Sequence, residues 1–325
     1  MSTILWYALL FAAVRLVFRQ NAVINTGLLA KGVRSEFFER FKATPTLFQD
    51  LSTRMVSTSD AETYRWLGTV PQMREWGTGR KAKGIRSEGF NVENMKYEAT
   101  IEVDRDEVSD DKTGQIKMRI ADLAPHAATH KDYLLAQLLI NGASAGFNSY
   151  DGVSFFNDAH VSGVSGNQDN DLTPAAVSAS APTTAEFKTA LQAAIAQMLG
   201  FKNDEGEPAN LAASGLVCLV PPTMLFAAME AANAVIIANT SNVLSGIARI
   251  EPFPWLSTAS TWYLLKTDTA VRPFIFQDRE PIEFGSLTED SEEGFRREKL
   301  LFGVRARYRL TYGYWQYAIR NVFTQ

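Results

Sequence analysis

The chain has 325 residues, 46% hydrophobic and 21% charged, with a net charge of −4. That length buries roughly 75% of the unfolded surface, so no disulfide or metal staple is needed to fold it, and the charge excludes a molecule that binds polyanions over its whole surface. The single cysteine, Cys218, excludes an internal disulfide and a cysteine-based zinc site; it lies in Leu216-Val-Cys-Leu-Val220, where a buried inert thiol in a reducing compartment is expected.

Residues 4–18 are an apolar run interrupted by Arg15. The run is short for a membrane span, which takes about 20 residues, and it lacks the basic start and small-residue cleavage site of a signal peptide. Three readings stay open: a membrane anchor, an arm helix packing on a neighbour, or sequence translated ahead of a domain start near Ile24. From Ile24 to Asp60 the chain is polar, with Leu28, Leu29, Val33, Phe37, Phe38 and Phe41 at near-helical spacing; it reads as an N-terminal arm.

Glu62 to Asp104 reads as one long β-hairpin. Tyr97, Ala99, Ile101 and Val103 alternate with Glu98, Thr100, Glu102 and Asp104, the period of a half-buried strand. The outgoing arm, Thr63 to Val70, is aromatic and β-branched. Between them lie four glycines, and from Arg74 to Arg86 five basic residues stand against one acidic. A two-stranded ribbon is marginal in water, so this one needs a surface, and a second copy of the chain is the surface expected.

Residues 102–111 carry six acids and one base. Gly114 to Ile140 has a helical apolar stripe ended by Gly142, with a kink or break expected at Pro125. Residues 143–182 read as loop with short strands, Asn167 to Asp171 as a turn or mobile tip. Thr183-Thr-Ala-Glu186 is a capping box opening a helix whose buried face is Phe187, Leu191, Ile195, Met198 and Leu199. A strand at 215–220, a helix at 223–234 and a strand near 247–251 form a strand–helix–strand unit. Further strands are expected at 261–266, 272–276 and 299–312, the last with Val304, Ala306, Tyr308 and Leu310 on one face and Arg305, Arg307 and Arg309 on the other. Glu280 to Glu293 carries six acids and no base.

Candidate chemistry is sparse. Asp122, His126 and His130 fall at i, i+4, i+8 on one helix face, a spacing that can hold zinc, but Ala127 stands where a metalloprotease has its glutamate. His160 follows Asp151, Ser154 and Asp158 without a nucleophile-elbow motif. Gly77, Gly79, Gly84 and Gly89 match no phosphate-binding spacing. No cofactor or metal is expected. The expected contact is between subunits: apolar anchors Trp66, Trp76 and Phe90, a basic tip of Arg80, Lys81, Lys83 and Arg86, and acids Asp106, Glu107, Asp110, Asp111, Glu289, Asp290, Glu292 and Glu293 of a neighbour. Contacts between different surfaces of identical subunits are head-to-tail and build rings and shells.

The order of these elements resembles the major capsid proteins of tailed phages, most narrowly the major head subunit of Mu-like phages and prophages. The residues that carry the likeness are Tyr64-Arg-Trp-Leu-Gly68, Glu75-Trp76, Tyr150-Asp-Gly152 with Phe155, Phe156 and His160, Arg272-Pro-Phe-Ile-Phe276 and Gly303 to Trp315, spanning about 23–323. The resemblance implies an α+β fold of the HK-ninety-seven type: an N-terminal arm (1–60, of which 1–21 are atypical), an extended loop (61–105), a peripheral domain with a spine helix (106–144), an axial domain (145–270) and a return to the peripheral domain (271–325). It implies a structural protein, not an enzyme, found in the virion and assembled in the bacterial host cytoplasm. Its partners would be itself, as pentamers and hexamers, with scaffold or protease, portal and decoration proteins, and packaged double-stranded DNA by non-specific proximity; no membrane is expected. Two other classes remain in view: a soluble α/β enzyme using His126, His130 and His160, and a membrane-anchored protein held by residues 4–18.

Overall fold

The computed structural model describes residues 26–65, 67, 89–110, 114–237, 239–288 and 291–325, the side chains of 26–30, 108–110, 116 and 117 excepted. The described strands are β1 (Ser52–Val56), β2 (Ala61–Tyr64), β3 (Phe90–Glu93), β4 (Met95–Asp104), β5 (Asp171–Leu172), β6 (Leu216–Val220), β7 (Ile236–Ile237), β8 (Thr240–Ser241), β9 (Ala248–Pro252), β10 (Thr261–Lys266), β11 (Phe274–Leu287), β12 (Lys299–Tyr312) and β13 (Ala318–Val322). They form a four-stranded sheet in the order β1-β11-β12-β4, a five-stranded sheet in the order β5-β13-β10-β6-β9, and the ribbons β2-β3 and β7-β8. The chain divides into two compact units, each built from three separate segments.

The first unit takes Met1–Thr44, Glu98–Ala128 and Ile282–Arg305. Its core gathers the apolar faces of several elements. Helix Thr26–Ala43 supplies Val33 and Phe37; β4, β11 and β12 supply Val103, Phe284, Leu300, Phe302 and Val304; helices Gln115–Ala121 and Leu123–Asn141 supply Ile120, Leu123 and Ala124. Phe37 is enclosed by rings, 5.3 Å from Phe38, 6.0 Å from Phe41 and 5.2 Å from Phe284.

The break expected at Pro125 falls earlier. The first helix ends at Ala121, and Pro125 sits in the first turn of the second. A proline ring clashes with the carbonyl four residues back, which here is Ala121, while inside a first turn the missing N–H costs nothing.

The second unit takes Pro45–Tyr97, Thr129–Pro281 and Ala306–Gln325. In its five-stranded sheet β6 is buried along its whole length, antiparallel to β10 on one side and parallel to β9 on the other. The strand–helix–strand unit is thus realised, with helix Leu225–Asn233 between β6 and β9. Helix Thr184–Gly200 opens on the expected capping box and buries Phe187, Leu191, Ile195 and Met198; Leu199 is exposed instead. The last carbonyls of helix Leu123–Asn141 accept hydroxyl hydrogen bonds from Tyr312 (onto Leu138, 2.8 Å) and Tyr263 (onto Leu139, 3.0 Å), partners that the end of a helix lacks by itself.

The expected pairing within Glu62 to Asp104 is corrected. The alternating strand is β4, but its neighbour is β12, not the outgoing arm. The antiparallel partner of β2 is β3, in the register Ala61↔Glu93 to Tyr64↔Phe90. Period 2 says that one face is buried; it does not say which strand lies alongside.

Asp132 caps a helix from far away in sequence. Its carboxylate accepts from the backbone N–H of Phe48 at 2.8 Å and of Leu47 at 3.1 Å, at the start of helix Phe48–Leu51. Burial raises its pKa, opposed by these two hydrogen bonds. Asp132→Ala leaves both donors unmatched and is expected to cost about 1–3 kcal/mol in equilibrium denaturation.

Candidate subunit interface

The root of the expected loop is rigid. Gln277, fully buried on β11, accepts from the Tyr64 hydroxyl at 2.8 Å and donates to the Val92 carbonyl at 3.2 Å and the Asn94 side-chain oxygen at 2.8 Å. One amide therefore holds both strands of the β2-β3 ribbon. Below it, Glu62 accepts from Ser57 and from the N–H of Thr58 and Ser59, and these hydrogen bonds hold its carboxyl below the usual range. Asn94 donates to Ser57 at 2.8 Å, and Arg307 pairs with Asp60 and Glu280 at 3.0 Å each.

The segment that leaves this root carries Trp66, Trp76, Arg80, Lys81, Lys83 and Arg86, all outside the described residues, as are Asp111, Glu289 and Asp290. The backbone of Asp110 ends helix Arg105–Asp110, but its side chain is also outside them. Phe90, on β3, packs half-buried against Tyr64, Leu67, Val92 and Ile275.

The first acidic stretch touches the segment that follows the second one in sequence. The Arg105 N–H donates to the Glu298 carbonyl at 2.9 Å. Lys299 pairs with Glu102 at 3.3 Å and Asp104 at 3.5 Å, so part of the patch is neutralised within the chain. Asp106 and Glu107 lie in the first turn of helix Arg105–Asp110. Glu292 and Glu293 open helix Glu292–Arg297 and pair along it with Arg296 and Arg297. Acids at one helix start and bases at the other end suit the helix dipole.

Asp122 pairs with Arg40 at 3.3 Å, and among the described residues no cluster of three or more His, Cys, Asp or Glu could hold a metal. His130 Nδ1 lies 2.7 Å from the Tyr308 hydroxyl. Burial, then the charge of Lys131, lowers its pKa below the ordinary 6.5, which fits a neutral ring accepting from tyrosine. The unfolded chain then binds this proton more readily than the folded one. Stability is complete above the ordinary value and falls as pH drops through it. Thermal unfolding between about pH 5 and 7.5 is expected to lose part of this slope in His130→Gln.

His160 is fully buried, with Nδ1 2.6 Å from an Asp151 oxygen and Nε2 3.2 Å from the Phe155 carbonyl. Its ring stacks on Trp315 at 4.3 Å and 11°. Both nitrogens are engaged within the chain, and the Ser154 hydroxyl lies against the Ser144 carbonyl rather than the ring. The dyad is a staple. Asn170, also fully buried, extends it by donating to the Phe155 and Ala318 carbonyls at 2.9 and 3.2 Å and accepting from the Asn157 N–H at 2.8 Å. The stretch Asn167 to Asp171, expected as a turn or mobile tip, is tied to the interior through Asn170. Buried amides such as Asn170, Gln277 and Asn210 carry no periodicity by which the sequence could flag them.

In fold, the chain is similar to the shell proteins of phage heads and related particles. It matches the procapsid protein of bacteriophage JBD30 with a TM-score of 0.53 at 22% identity, over 92% of this chain and 76% of that one. It matches the capsid of cyanophage P-SCSP1u at 0.55 and 13%, over 87% and 89%, and the virus-like particle of Pyrococcus furiosus at 0.54 and 8%, over 90% and 98%. The fold is thus the α+β capsid fold of the HK-ninety-seven type.

The family model of the Mu-like prophage major head subunit gpT matches residues 27–187 and 257–323, and the chain belongs to this family. It is 22% identical over 290 residues to the Mu-like prophage FluMu major head subunit of Haemophilus influenzae, and 24% identical over 287 residues to the major capsid protein of Escherichia phage Mu, each time over 88% of this chain and 70% of the relative. The chain is therefore a structural component of the virion, the major capsid protein that self-assembles into the icosahedral head shell, and not an enzyme. Among the described residues no helix is long and apolar enough to cross a membrane; residues 4–18 lie outside them.

Proposed function

We propose that the shell is tiled by rings of five and six copies joined through the segment between Tyr64 and Phe90. In this reading 61–105 holds the extended loop, with β4 at its root; 106–144 and 271–325 form the peripheral domain, and 145–270 the axial domain. Arg80, Lys81, Lys83 and Arg86 of one subunit meet Asp106, Glu107, Asp110, Asp111, Glu289, Asp290, Glu292 and Glu293 of the next, with Trp66, Trp76 and Phe90 as apolar anchors. Scaffold or protease, portal and decoration proteins act as further partners, and packaged DNA is met only by non-specific proximity.

The observation that carries this reading is the fixed root: buried Gln277 clamps β2 to β3, so the cationic segment departs from a rigid base. Charge pairing sets register and encounter rate more than affinity. Arg80→Glu with Lys83→Glu is expected to lower shell yield on the order of tenfold at low salt. Adding Glu292→Lys and Glu293→Lys should restore it in part. Unchanged yield in the first variant overturns the pairing.

A further inference from the structure

Pro221 to Ile247 carries one charged residue in 27, Glu230, and that carboxylate accepts from the Thr184 hydroxyl. Yet this stretch is not interior. Phe226 is 80% exposed, Val235 70%, Ile236 66% and Val243 75%. Phe226 sits on helix Leu225–Asn233 and Ile236 on the β7-β8 ribbon, whose strands are two residues each, with Val235 just before β7 and Val243 two residues after β8. A ribbon that short has no stability of its own.

The ribbon is nevertheless held in place. Asn242, 7% exposed, donates to the Ala231 and Ala234 carbonyls at 2.8 and 2.9 Å, and the Gly246 N–H donates to the Ala232 carbonyl at 2.9 Å. The end of the helix is thereby satisfied and the apolar side chains are presented on a fixed base. Interface cores are depleted in charge and enriched in large apolar groups, and a preordered surface loses little entropy on binding.

We infer that this face packs against a second copy of the chain within the shell, a statement that rests on the ring assembly proposed above. Lack of charge selects the occupant. Phosphates need cations, and a charged protein surface finds no counter-ion here. Elsewhere in the same unit Val164 and Val177 are 75% and 86% exposed, but charged residues adjoin both: the Val164 N–H donates to the Asp204 carbonyl and the Val177 N–H to the Glu186 carboxylate. Every subunit of a ring carries this face of helix Leu225–Asn233 and the β7-β8 ribbon, so a contact that it makes with a neighbour repeats at each position.

The test is thiol labelling of Ile236→Cys in shells and in unassembled subunits. Cys218, the single native cysteine, is fully buried, and burial pushes its thiol pKa far up, so the introduced thiol reacts alone. Labelling with a maleimide is expected to slow on the order of tenfold or more in shells. Equal rates overturn the inference and leave the ring assembly standing. A wild-type chain that yields no shells under any condition overturns both. As a second arm, Phe226→Ser with Ile236→Ser changes only exposed side chains and should keep the circular dichroism of the folded subunit while abolishing shells. Shells at wild-type yield from that variant overturn the inference.

Discussion

His160→Ala is expected to lower the unfolding free energy by about 3–5 kcal/mol, the cost of stranding one partner of a buried pair. The ring is fully buried, its carboxylate partner Asp151 is 3% exposed, and the pair is 2.6 Å apart. Removal leaves the Asp151 carboxylate without its hydrogen-bond donor, leaves the Phe155 carbonyl with Asn170 alone, and opens a void beside Trp315. Replacing the pair together, as Asp151→Asn with His160→Gln, keeps polar shape without charge and is expected to cost less. Chemical denaturation of the three proteins checks the order. A catalytic histidine would show the reverse pattern: little change in stability and loss of an activity.

Phe37→Ala is expected to cost about 3–5 kcal/mol in the first unit, as large aromatic truncations in a closed core do. The residue lies on helix Thr26–Ala43, a segment that reads as a polar arm, yet its ring is fully buried against Phe38, Phe41 and Phe284. Amide hydrogen exchange should show the loss of protection in Val103, Phe302 and Val304, which share that core. Phe41→Ala, at the half-buried edge of the same cluster, should cost less.

Strands marked by alternation, as β12, or by an apolar run buried throughout, as β10, were legible. β12 runs from Lys299 to Tyr312 with Val304, Ala306, Tyr308 and Leu310 buried, and β10 spans Thr261 to Lys266, both with the bounds that composition and period point to. Local chemistry was legible too: the capping box at Thr183 and Glu186 forms as written. What escaped depends on partners distant in sequence. β4 pairs with β12 across about two hundred residues, and no local pattern records that choice. The buried polar staples escaped for the same reason. Asp132, Asn170 and Gln277 are turn-forming or surface-like residues by type, and only the closed fold supplies the backbone groups they satisfy. The acidic residues read as two separate patches; the Arg105 N–H bond to the Glu298 carbonyl ties the first patch to the segment just after the second.

The most direct measurement is a cryo-electron microscopy reconstruction of the assembled shell at side-chain resolution. The expected map has residues 65–88 of each subunit lying on its neighbour, with Arg80 and Lys83 among that neighbour's carboxylates. A map in which the same residues fold back onto their own subunit contradicts it.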